Sequence, residues 1–263
     1  MTAPVLLDVT EGVATITLNR PDSMNSLTVE TKVLLREIVE QVAEDAAVRC
    51  VVLTGTGRGF CVGQDLKEHV QLLQSGSSDE LFRTVDEHYN PIVSTLVSMP
   101  KPVVASVNGI AAGAGASLAF AADLRILSER AGYNLAFTGI GLSCDTGSSW
   151  TLPRLVGRAK AIELLYFPST LDAATSLDLG LATQVVPDDE LARTTGDLAT
   201  RLAAGPTVAY GAVRQSVTHS AGRSLEDALA TESQMIQRTG ATEDHRAAVD
   251  AFVAKRQPTF EGR

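Results

Sequence analysis

The chain has 263 residues, and its 22 Lys and Arg against 31 Asp and Glu give a formal net charge of −9 at pH 7. With 44% hydrophobic and 20% charged residues, its composition is that of a globular protein large enough to bury a sizeable core. Phosphate backbones and anionic membrane surfaces are bound through clustered Lys and Arg. The charge balance therefore excludes nucleic acid and membrane surfaces as general partners.

Cysteine and histidine spacing argues against the common metal and disulfide frameworks. The three cysteines, Cys50, Cys61 and Cys144, form no C-x-x-C pair, and the four histidines never fall in an H-E-x-x-H pattern. The N-terminus lacks the basic segment and long apolar stretch of a signal peptide. We therefore expect no metal site, no disulfide and a cytoplasmic location.

The first half of the chain predicts strands that alternate with helices, an α/β arrangement. Short β-rich or apolar runs predict the strands, and apolar residues at helical spacing predict the helices, the first of them capped by Ser26 or Thr28. In chain order the predicted elements are a strand at 5–9, a strand at 13–18, a helix at 29–42, a strand at 50–54, a glycine-rich loop at 55–63, a helix at 81–99 with Pro91 as an irregularity, a strand at 102–107, a helix at 113–122 and a strand at 124–127.

After about residue 158 the pattern becomes helical throughout. Six helix-like segments, separated by Pro or Gly, follow one another at 159–166, 172–180, 188–204, 207–220, 225–238 and 243–256. The uncharged run 102–122 has the length of a membrane span, but its polar residues and the turn signal Asn108-Gly109 predict a buried strand that leads into a buried helix.

Two glycine-containing loops are candidates for binding an oxyanion through the main chain. They are residues 59–66 and 108–117, each of which follows a predicted core strand. Backbone N–H groups freed at such loops can point together at an oxygen, although tight helix–sheet packing uses Gly and Ala as well. Leu118 occupies the third glycine position of a dinucleotide-binding fingerprint, which excludes that motif.

Asp145 is the single acid in an otherwise uncharged stretch, residues 133–153. An isolated carboxylate among apolar and small residues is desolvated, and desolvation raises its pKa toward the range of a usable acid or base. Asp is also a favoured helix cap, and a helix is predicted to begin near Ser148. Both roles remain open from the spacing alone.

Several sequence blocks closely resemble the crotonase superfamily, the enoyl-CoA hydratase/isomerase family. They run in the family's order over nearly the whole chain: Leu18–Pro21, Phe60–Leu66, Lys101–Ala105, Asn108–Gly115, Ala122–Ile126, Leu152–Gly157 and Gly180–Ala182. The resemblance implies a ClpP-like α/β fold of repeated ββα units with a C-terminal helical region. Residues 1–190 would form the core with the acyl-CoA and catalytic site, and residues 191–263 a helical trimerisation region of a homotrimer or of a hexamer built from two trimers.

The resemblance also implies how an acyl-CoA thioester would be held. The main-chain N–H groups of Gln64 and Ala114 match the family's oxyanion hole, and no cofactor is implied because the CoA thioester is itself the substrate. The positions that match the family's CoA-binding segments are Ser23, Met24, Asn25, Leu27, Cys61, Gly63, Asp65 and Leu66. We also expect Ser117 and Phe137 to contact the substrate.

The reaction type depends on side chains in which this sequence departs from the hydratase pattern. Hydratases of the family carry two glutamates, and the matching positions here are Ser117 and Phe137, neither of which can act as a general base. Asp145 falls where some isomerases of the family carry their single acid. Its surroundings look most like the ring-epoxide (1,2-epoxyphenylacetyl-CoA) isomerase subgroup. We therefore expect an isomerase that works through a thioester enolate, with Asp145 moving the proton.

Three alternatives stay open at this point: a hydratase with an atypical site, an acyl-CoA-binding protein without catalysis, and a dehalogenase with Asp145 as nucleophile. The dehalogenase lacks support because its His and Trp partners would match Asn90 and Phe137. For His88 and Tyr89 we expect a surface or packing role.

An acidic chain that binds CoA must meet its phosphates with local basic groups. The candidates are Arg20, Lys67 and, near the C-terminus, Lys255 or Arg256.

Overall fold

The computed structural model describes residues 3–76 and 78–263, which contain ten strands and twelve α-helices. The strands are β1 (Val5–Thr10), β2 (Val13–Leu18), β3 (Cys50–Gly55), β4 (Gly59–Cys61), β5 (Val103–Val107), β6 (Ile110–Ala112), β7 (Leu124–Ser128), β8 (Gly132–Asn134), β9 (Leu171–Asp172) and β10 (Gln184–Val186). The helices are α1 (Val29–Glu44), α2 (Leu66–Gln74), α3 (Ser78–Thr84), α4 (Asn90–Ser98), α5 (Ala114–Phe120), α6 (Ser148–Val156), α7 (Arg158–Tyr166), α8 (Ala173–Asp178), α9 (Leu191–Ala203), α10 (Thr207–Ser220), α11 (Leu225–Gly240) and α12 (Glu243–Val253).

The larger sheet has six strands in the order β1-β2-β3-β5-β7-β10. Only the β1–β2 hairpin is antiparallel, and every other pair is parallel. The central strands β3, β5 and β7 are buried on both faces, which is the usual environment of parallel strands. In β3, Val51 and Leu53 pack in the main core with α1, whereas Cys50 and Val52 pack against α9.

A smaller sheet of four strands has the order β4-β6-β8-β9. Its first three strands are parallel, and β9 pairs antiparallel with β8. Successive strands alternate between the two sheets, because β3, β5 and β7 enter the larger sheet and β4, β6 and β8 enter the smaller one, each pair followed by one or more helices. The predicted arrangement of repeated ββα units is thereby confirmed.

The structure refines several predicted elements. The glycine-rich loop 55–63 contains β4, and four more short strands, β6 and β8 to β10, carry no clear signal in the sequence. The predicted helix 81–99 is divided by a π-helical stretch, Val85–Tyr89, next to Pro91. Thr28 caps α1, with its hydroxyl accepting a hydrogen bond from the N–H of Thr31 at 3.2 Å.

The run 102–122 forms β5, β6 and α5, as its turn signal predicts. Across the described residues, none of the helices has both the length and the apolar character needed to cross a membrane.

The C-terminal part is helical, but its first helix belongs to the layered body. Ala199 and Ala203 of α9 are buried against Cys50, Val52 and Val104 of the larger sheet. Beyond α9, the helices α10 to α12 carry large exposed apolar side chains, which include Val217, Leu225, Ile236 and Phe252.

Candidate active site

A cavity of about 190 Å³ lies where three parallel strands of the smaller sheet end. The residues that follow β4, β6 and β8 line it, together with the segment from α3 through the π-helical stretch. Ligands of α/β proteins bind outside the carboxyl ends of parallel strands, because the loops that converge there carry variable side chains. The cavity is lined by Val62, Gly63, Gln64, Leu66, His69, Leu81, Phe82, Thr84, Val85, Tyr89, Ala112, Gly113, Ala114, Ala136, Phe137, Ile140, Leu142 and Asp145.

Two glycines let the loops after β4 and β6 approach each other closely. A Cβ on Gly115 would lie 2.0 Å from the carbonyl oxygen of Cys61, so the backbones of β4 and α5 are in direct contact there. Gly63 has a φ of +81°, and a Cβ on it would lie 2.9 Å from the Ala112 oxygen and 3.2 Å from the Ala114 nitrogen. Only glycine combines this conformation with this space.

The close approach places Gly63, the residue before Gln64, against the main chain of Ala114, and both Gln64 and Ala114 line the cavity. Neither N–H group donates a hydrogen bond to a described residue outside its own element. For Ala114 no partner within α5 exists either, because it is the first residue of that helix. Two open N–H donors beside one cavity can bind a negatively charged oxygen.

Asp145 lies on the cavity wall, half-buried, in the turn before α6. The N-cap residue of α6 is Gly147, and the Asp145 side chain does not cap this helix. Thr146, which has a φ of +53°, donates its hydroxyl to Asp145 Oδ1 at 2.7 Å. A positive φ is rare for a β-branched residue, and such conformations are held by their surroundings at functional sites.

The environment of Asp145 raises its pKa above the ordinary value. Burial disfavours the charged form and outweighs the Thr146 hydrogen bond and the positive charge of Lys32, both of which lower the pKa. A carboxyl with a raised pKa and access to a cavity is suited to take and return a proton.

A buried polar cluster, which the sequence analysis missed, supports Gln64. Lys32 Nζ lies 2.9 Å from Gln64 Oε1 and 2.6 Å from Thr84 Oγ1, and the Tyr89 hydroxyl lies 2.7 Å from the same Gln64 oxygen. Burial lowers the pKa of Lys32 to about 8, although Glu68, Asp145 and Asp65 act in the opposite direction. Lys32 shares the buried face of α1 with Leu35 and Val39, and a lysine on an apolar stripe is the signal that could have revealed it.

Tyr89 packs in the main core, as expected, and makes further contacts at the cavity. It is buried, lines the cavity and places its hydroxyl on Gln64, and burial raises its pKa well above the ordinary value. His88 bonds through Nδ1 to Thr84 Oγ1, and burial lowers its pKa. Asn90 is exposed and donates to Asp86, away from the cavity wall.

The two positions that match the hydratase glutamates are both buried, but only Phe137 is among the residues that line the cavity. Ser117 is fully buried, and its hydroxyl bonds to the carbonyl oxygen of Gly113 and to the hydroxyl of Ser148. Phe137 lines the cavity with an apolar ring. Neither position supplies an ionisable group to the cavity.

Several of the predicted CoA-contacting residues have side chains occupied by the fold. Asn25 is buried and donates to the carbonyl oxygens of Thr56, Gly59 and Phe60, and Leu27 is fully buried. Any contact of these two residues with CoA must therefore use the main chain. Their predicted role remains a prediction.

Of the other residues predicted to contact CoA, some line the cavity and some do not. Gly63 and Leu66 line the cavity, and Leu66 is exposed. Cys61 is fully buried, and burial raises the pKa of its thiol to about 12. Ser23 and Met24 lie outside the cavity wall, in and after a short 3₁₀ turn, Pro21–Ser23.

Asp65 and Arg20 form an internal ion pair with an N–O distance of 3.0 Å. Arg20 also donates to Ser26, so its guanidinium is engaged within the fold. Lys67, Lys255 and Arg256 are exposed. Of the basic candidates for the CoA phosphates, these three are the ones that project into solvent.

Comparison with known proteins agrees with this geometry. The enoyl-CoA hydratase/isomerase family model matches residues 8–263. The chain is 41% identical to the 1,2-epoxyphenylacetyl-CoA isomerase of Escherichia coli (strain K12), with 98% of both proteins covered. It is 31% identical to the trans-2-decenoyl-[acyl-carrier-protein] isomerase of Streptococcus mutans serotype c, again with 98% of both covered.

Solved structures give the same result. A putative enoyl-CoA hydratase/isomerase from Mycobacterium abscessus superposes with a TM-score of 0.95 at 42% identity, covering 98% of this chain and all of that one. The enoyl-CoA hydratase from Bacillus anthracis superposes with a TM-score of 0.90 at 31% identity, covering 99% of this chain and 100% of that one. The converging loops of the smaller sheet, the family model and these relatives together show that the chain belongs to the enoyl-CoA hydratase/isomerase, or crotonase, family.

Proposed function

We propose that the protein is an acyl-CoA isomerase that moves a double bond through a thioester enolate. The observation that carries this proposal is the single carboxylate, Asp145, with a raised pKa, on the wall of a cavity that is also lined by Gln64 and Ala114, whose main-chain N–H groups have no acceptor among the described residues. A base and an oxyanion site in one cavity are the two elements that enolate chemistry needs.

The proposed steps balance without a cofactor or a redox partner. The Asp145 carboxylate takes a proton from the carbon next to the thioester, and the electron pair of that C–H bond moves into the carbonyl to form an enolate. The N–H groups of Gln64 and Ala114 stabilise the enolate oxygen, a contribution of about 3–4 kcal/mol for one such donor in other enzymes. Asp145 then returns the proton to a carbon two positions further along the acyl chain, and the double bond shifts.

The surroundings of the cavity favour isomerisation over hydration. Addition of water needs a group that activates the water in addition to one that delivers a proton. The two positions that could supply such groups hold Ser117, which is buried and bonded to Ser148, and the apolar ring of Phe137. One carboxylate is sufficient for a proton transfer between two carbons.

We propose the type of acyl group from the apolar lining of the cavity and from the compound named in the description of one relative. Phe82, Phe137, Ile140 and Leu142 give the cavity an apolar lining. One relative, at 41% identity, is named for a ring epoxide, 1,2-epoxyphenylacetyl-CoA. We therefore place ring-bearing acyl groups, as in the breakdown of phenylacetate, first among the substrates to screen.

The exposed apolar side chains of α10 to α12 support the proposed homotrimer or hexamer, in which residues 191–263 would contact a second copy. Light scattering that gave the mass of a monomer would contradict this assembly.

Replacing Asp145 by Asn tests the function. We expect the rate of conversion of a 3-enoyl-CoA to the conjugated 2-enoyl-CoA, followed by ultraviolet absorbance, to fall by about 10²- to 10⁴-fold, because the amide cannot accept the proton. Binding of the thioester should remain. Asp178→Asn on the exposed end of α8 is the matched control and should keep full activity.

Three results would contradict the proposal. Full turnover by Asp145→Asn would remove Asp145 from the reaction. A 3-hydroxyacyl-CoA as the main product from a 2-enoyl-CoA would indicate a hydratase. Absence of solvent-deuterium exchange at the carbon next to the thioester, with binding retained, would indicate a protein that binds acyl-CoA without catalysis.

A further inference from the structure

Lys32 fixes the orientation of the Gln64 side chain. The Lys32 ammonium group lies 2.9 Å from Gln64 Oε1 and 2.6 Å from Thr84 Oγ1, and 5.1 Å from the centre of the Tyr89 ring. An ammonium group donates hydrogen bonds and cannot accept them, so the Gln64 carboxamide must face it with its oxygen. Lys32 is 0% exposed, which holds the ammonium group in place.

Tyr89 occupies the remaining acceptor site of the same oxygen. Its hydroxyl donates to Gln64 Oε1 at 2.7 Å, so the two lone pairs of that oxygen are taken by Lys32 and Tyr89. The Gln64 nitrogen, Nε2, therefore points away from the cluster. Among the described residues, none accepts a hydrogen bond from it.

The open Nε2 group belongs to a residue of the cavity wall and keeps some accessible surface. Within the described part of the chain, the buried side-chain polar atoms that lack a partner are Tyr133 Oη and Asn134 Oδ1, so Gln64 Nε2 retains accessible surface. Gln64 itself lines the cavity. Its two N–H bonds are thus open donors on a wall that holds both polar side chains, such as His69 and Asp145, and apolar ones, such as Phe137.

A ligand that covers this donor with hydrocarbon leaves it without a partner, which costs binding free energy, whereas an acceptor oxygen at the same place satisfies it. We propose that Gln64 Nε2 is a specificity-determining donor that selects acyl groups bearing an ether-type oxygen over hydrocarbon groups of the same shape. Lys32 and Tyr89 are its positioning residues. The inference rests on the proposed function, because it takes the occupant of the cavity to be an acyl-CoA thioester.

Binding of unreactive thioesters tests the inference apart from catalysis. The probes are cyclohexylacetyl-CoA and the three oxanylacetyl-CoA isomers, in which one ring CH₂ is replaced by oxygen at position 2, 3 or 4. These acyl groups are saturated, so isomerisation does not affect the dissociation constants measured by titration calorimetry. The measured quantity is the ratio of the Kd for the cyclohexyl ligand to the Kd for the best oxanyl isomer.

Gln64→Met removes the donor while keeping the length of the side chain. We expect the Kd ratio to fall by about 3- to 10-fold relative to the unchanged protein, the effect of one hydrogen bond. Gln64→Glu keeps an oxygen for Lys32 and Tyr89 and replaces the donor by a second oxygen, so the ratio should fall at least as far. His69→Leu changes another polar side chain of the cavity wall and is the matched control, for which the ratio should stay within twofold.

The positioning residues give an independent readout. Lys32→Met and Tyr89→Phe keep Gln64 but release its oxygen, so the Kd ratio should fall by a smaller factor, about 2- to 3-fold. Tyr89→Phe loses one hydroxyl and keeps the ring, so it tests the proposal even if a substitution of buried Lys32 prevents folding.

The outcomes separate the inference from the proposed function. A ratio that is unchanged in Gln64→Met, or that falls equally in His69→Leu, would overturn the inference while acyl-CoA binding stands. Failure of the unchanged protein to bind any of the four thioesters would overturn the proposed function and the inference together.

Discussion

Asp65 and Asp145 both lie close to the cavity, and both are shielded from solvent, but their carboxylates have very different hydrogen-bond partners. The Asp65 carboxylate accepts hydrogen bonds from the Arg20 guanidinium, the Ser26 hydroxyl and the N–H groups of Lys67 and Glu68. For Asp145, among the described residues, the hydrogen-bond donor to the carboxylate is the Thr146 hydroxyl.

The difference in partners reverses the direction of the pKa shift. Burial acts to raise the pKa of both groups. At Asp65 the hydrogen bonds from Ser26, Arg20 and the helix N-terminus outweigh burial and hold the pKa below its usual range. At Asp145 burial prevails, and the pKa is raised. A carboxylate saturated with donors stabilises the fold, whereas one left short of donors retains the affinity for a proton that catalysis needs.

The largest expected contrast is in stability. Asp65→Asn leaves Arg20 without its charged partner in a partly buried network, so the free energy of unfolding should fall by about 2–3 kcal/mol. Asp145→Asn removes a charge that the fold compensates poorly, so it should leave the free energy of unfolding unchanged or raise it by up to about 1 kcal/mol. Urea titration at pH 7 measures both.

Asp178→Asn, on the exposed end of α8, is the control and should change stability by less than about 0.5 kcal/mol. Equal losses from Asp65→Asn and Asp145→Asn would break the comparison, because they would show that both carboxylates support the fold to the same extent.

The contributions of Asp65 and Asp145 to stability should change with pH in opposite directions. For Asp65 the folded pKa lies below the unfolded value near 3.9, so its stabilisation is present above that value and is lost as the pH falls through the folded pKa. For Asp145 the folded pKa lies above the unfolded value, so stability is highest in acid and is lost as the pH rises from about 3.9 through the folded pKa.

Urea titrations of the unchanged protein and the two Asn variants between pH 3 and 7 measure this difference. The deficit of Asp65→Asn should shrink toward acid, and any advantage of Asp145→Asn should grow toward neutral pH. Two curves that move in the same direction would contradict the assignment.

The larger elements of the fold were predictable from local patterns, and the smaller sheet was not. The apolar run at 50–54 and the helical spacing from Val29 to Val42 correspond to β3 and α1, because each buries a face long enough to produce a recognisable period. The strands β4, β6 and β8 have three residues each, which is too short to show an alternating pattern. Their pairing depends on contacts between turns of the fold that are distant in sequence.

The residues of the candidate site were predictable where they lie in a recognisable sequence motif. Gln64 and Ala114 were identified through the family resemblance, Asp145 was first identified as the single acid of an uncharged stretch, and all three line one cavity. The cluster around Lys32 and Tyr89 was missed because it joins α1 to the π-helical stretch across more than 50 positions of sequence. No local sequence pattern indicates which oxygen will accept a hydrogen bond from a buried ammonium group.

The smallest predicted effect concerns the one donor that Asp145 receives from a described side chain. Thr146→Val removes the hydroxyl that lies 2.7 Å from Asp145 Oδ1 and keeps the β-branched shape at a φ of +53°. A hydrogen bond to a charged group contributes about 1.5–3 kcal/mol, so its loss should raise the pKa of Asp145 further above its ordinary value. The substitution therefore increases the difference between Asp145, which loses its donor, and Asp65, which keeps several donors.

The pH profile of kcat/KM for isomerisation reports this shift, because the base must be ionised to take the first proton. The acidic limb of the profile should move to higher pH in Thr146→Val, while the plateau changes by less than about threefold. Thr146→Ser retains the hydroxyl and should keep the limb in place. If both variants moved the limb equally, backbone geometry at the left-handed turn would set the pKa rather than the hydrogen bond. An unmoved limb in both would assign the titration to a group other than Asp145.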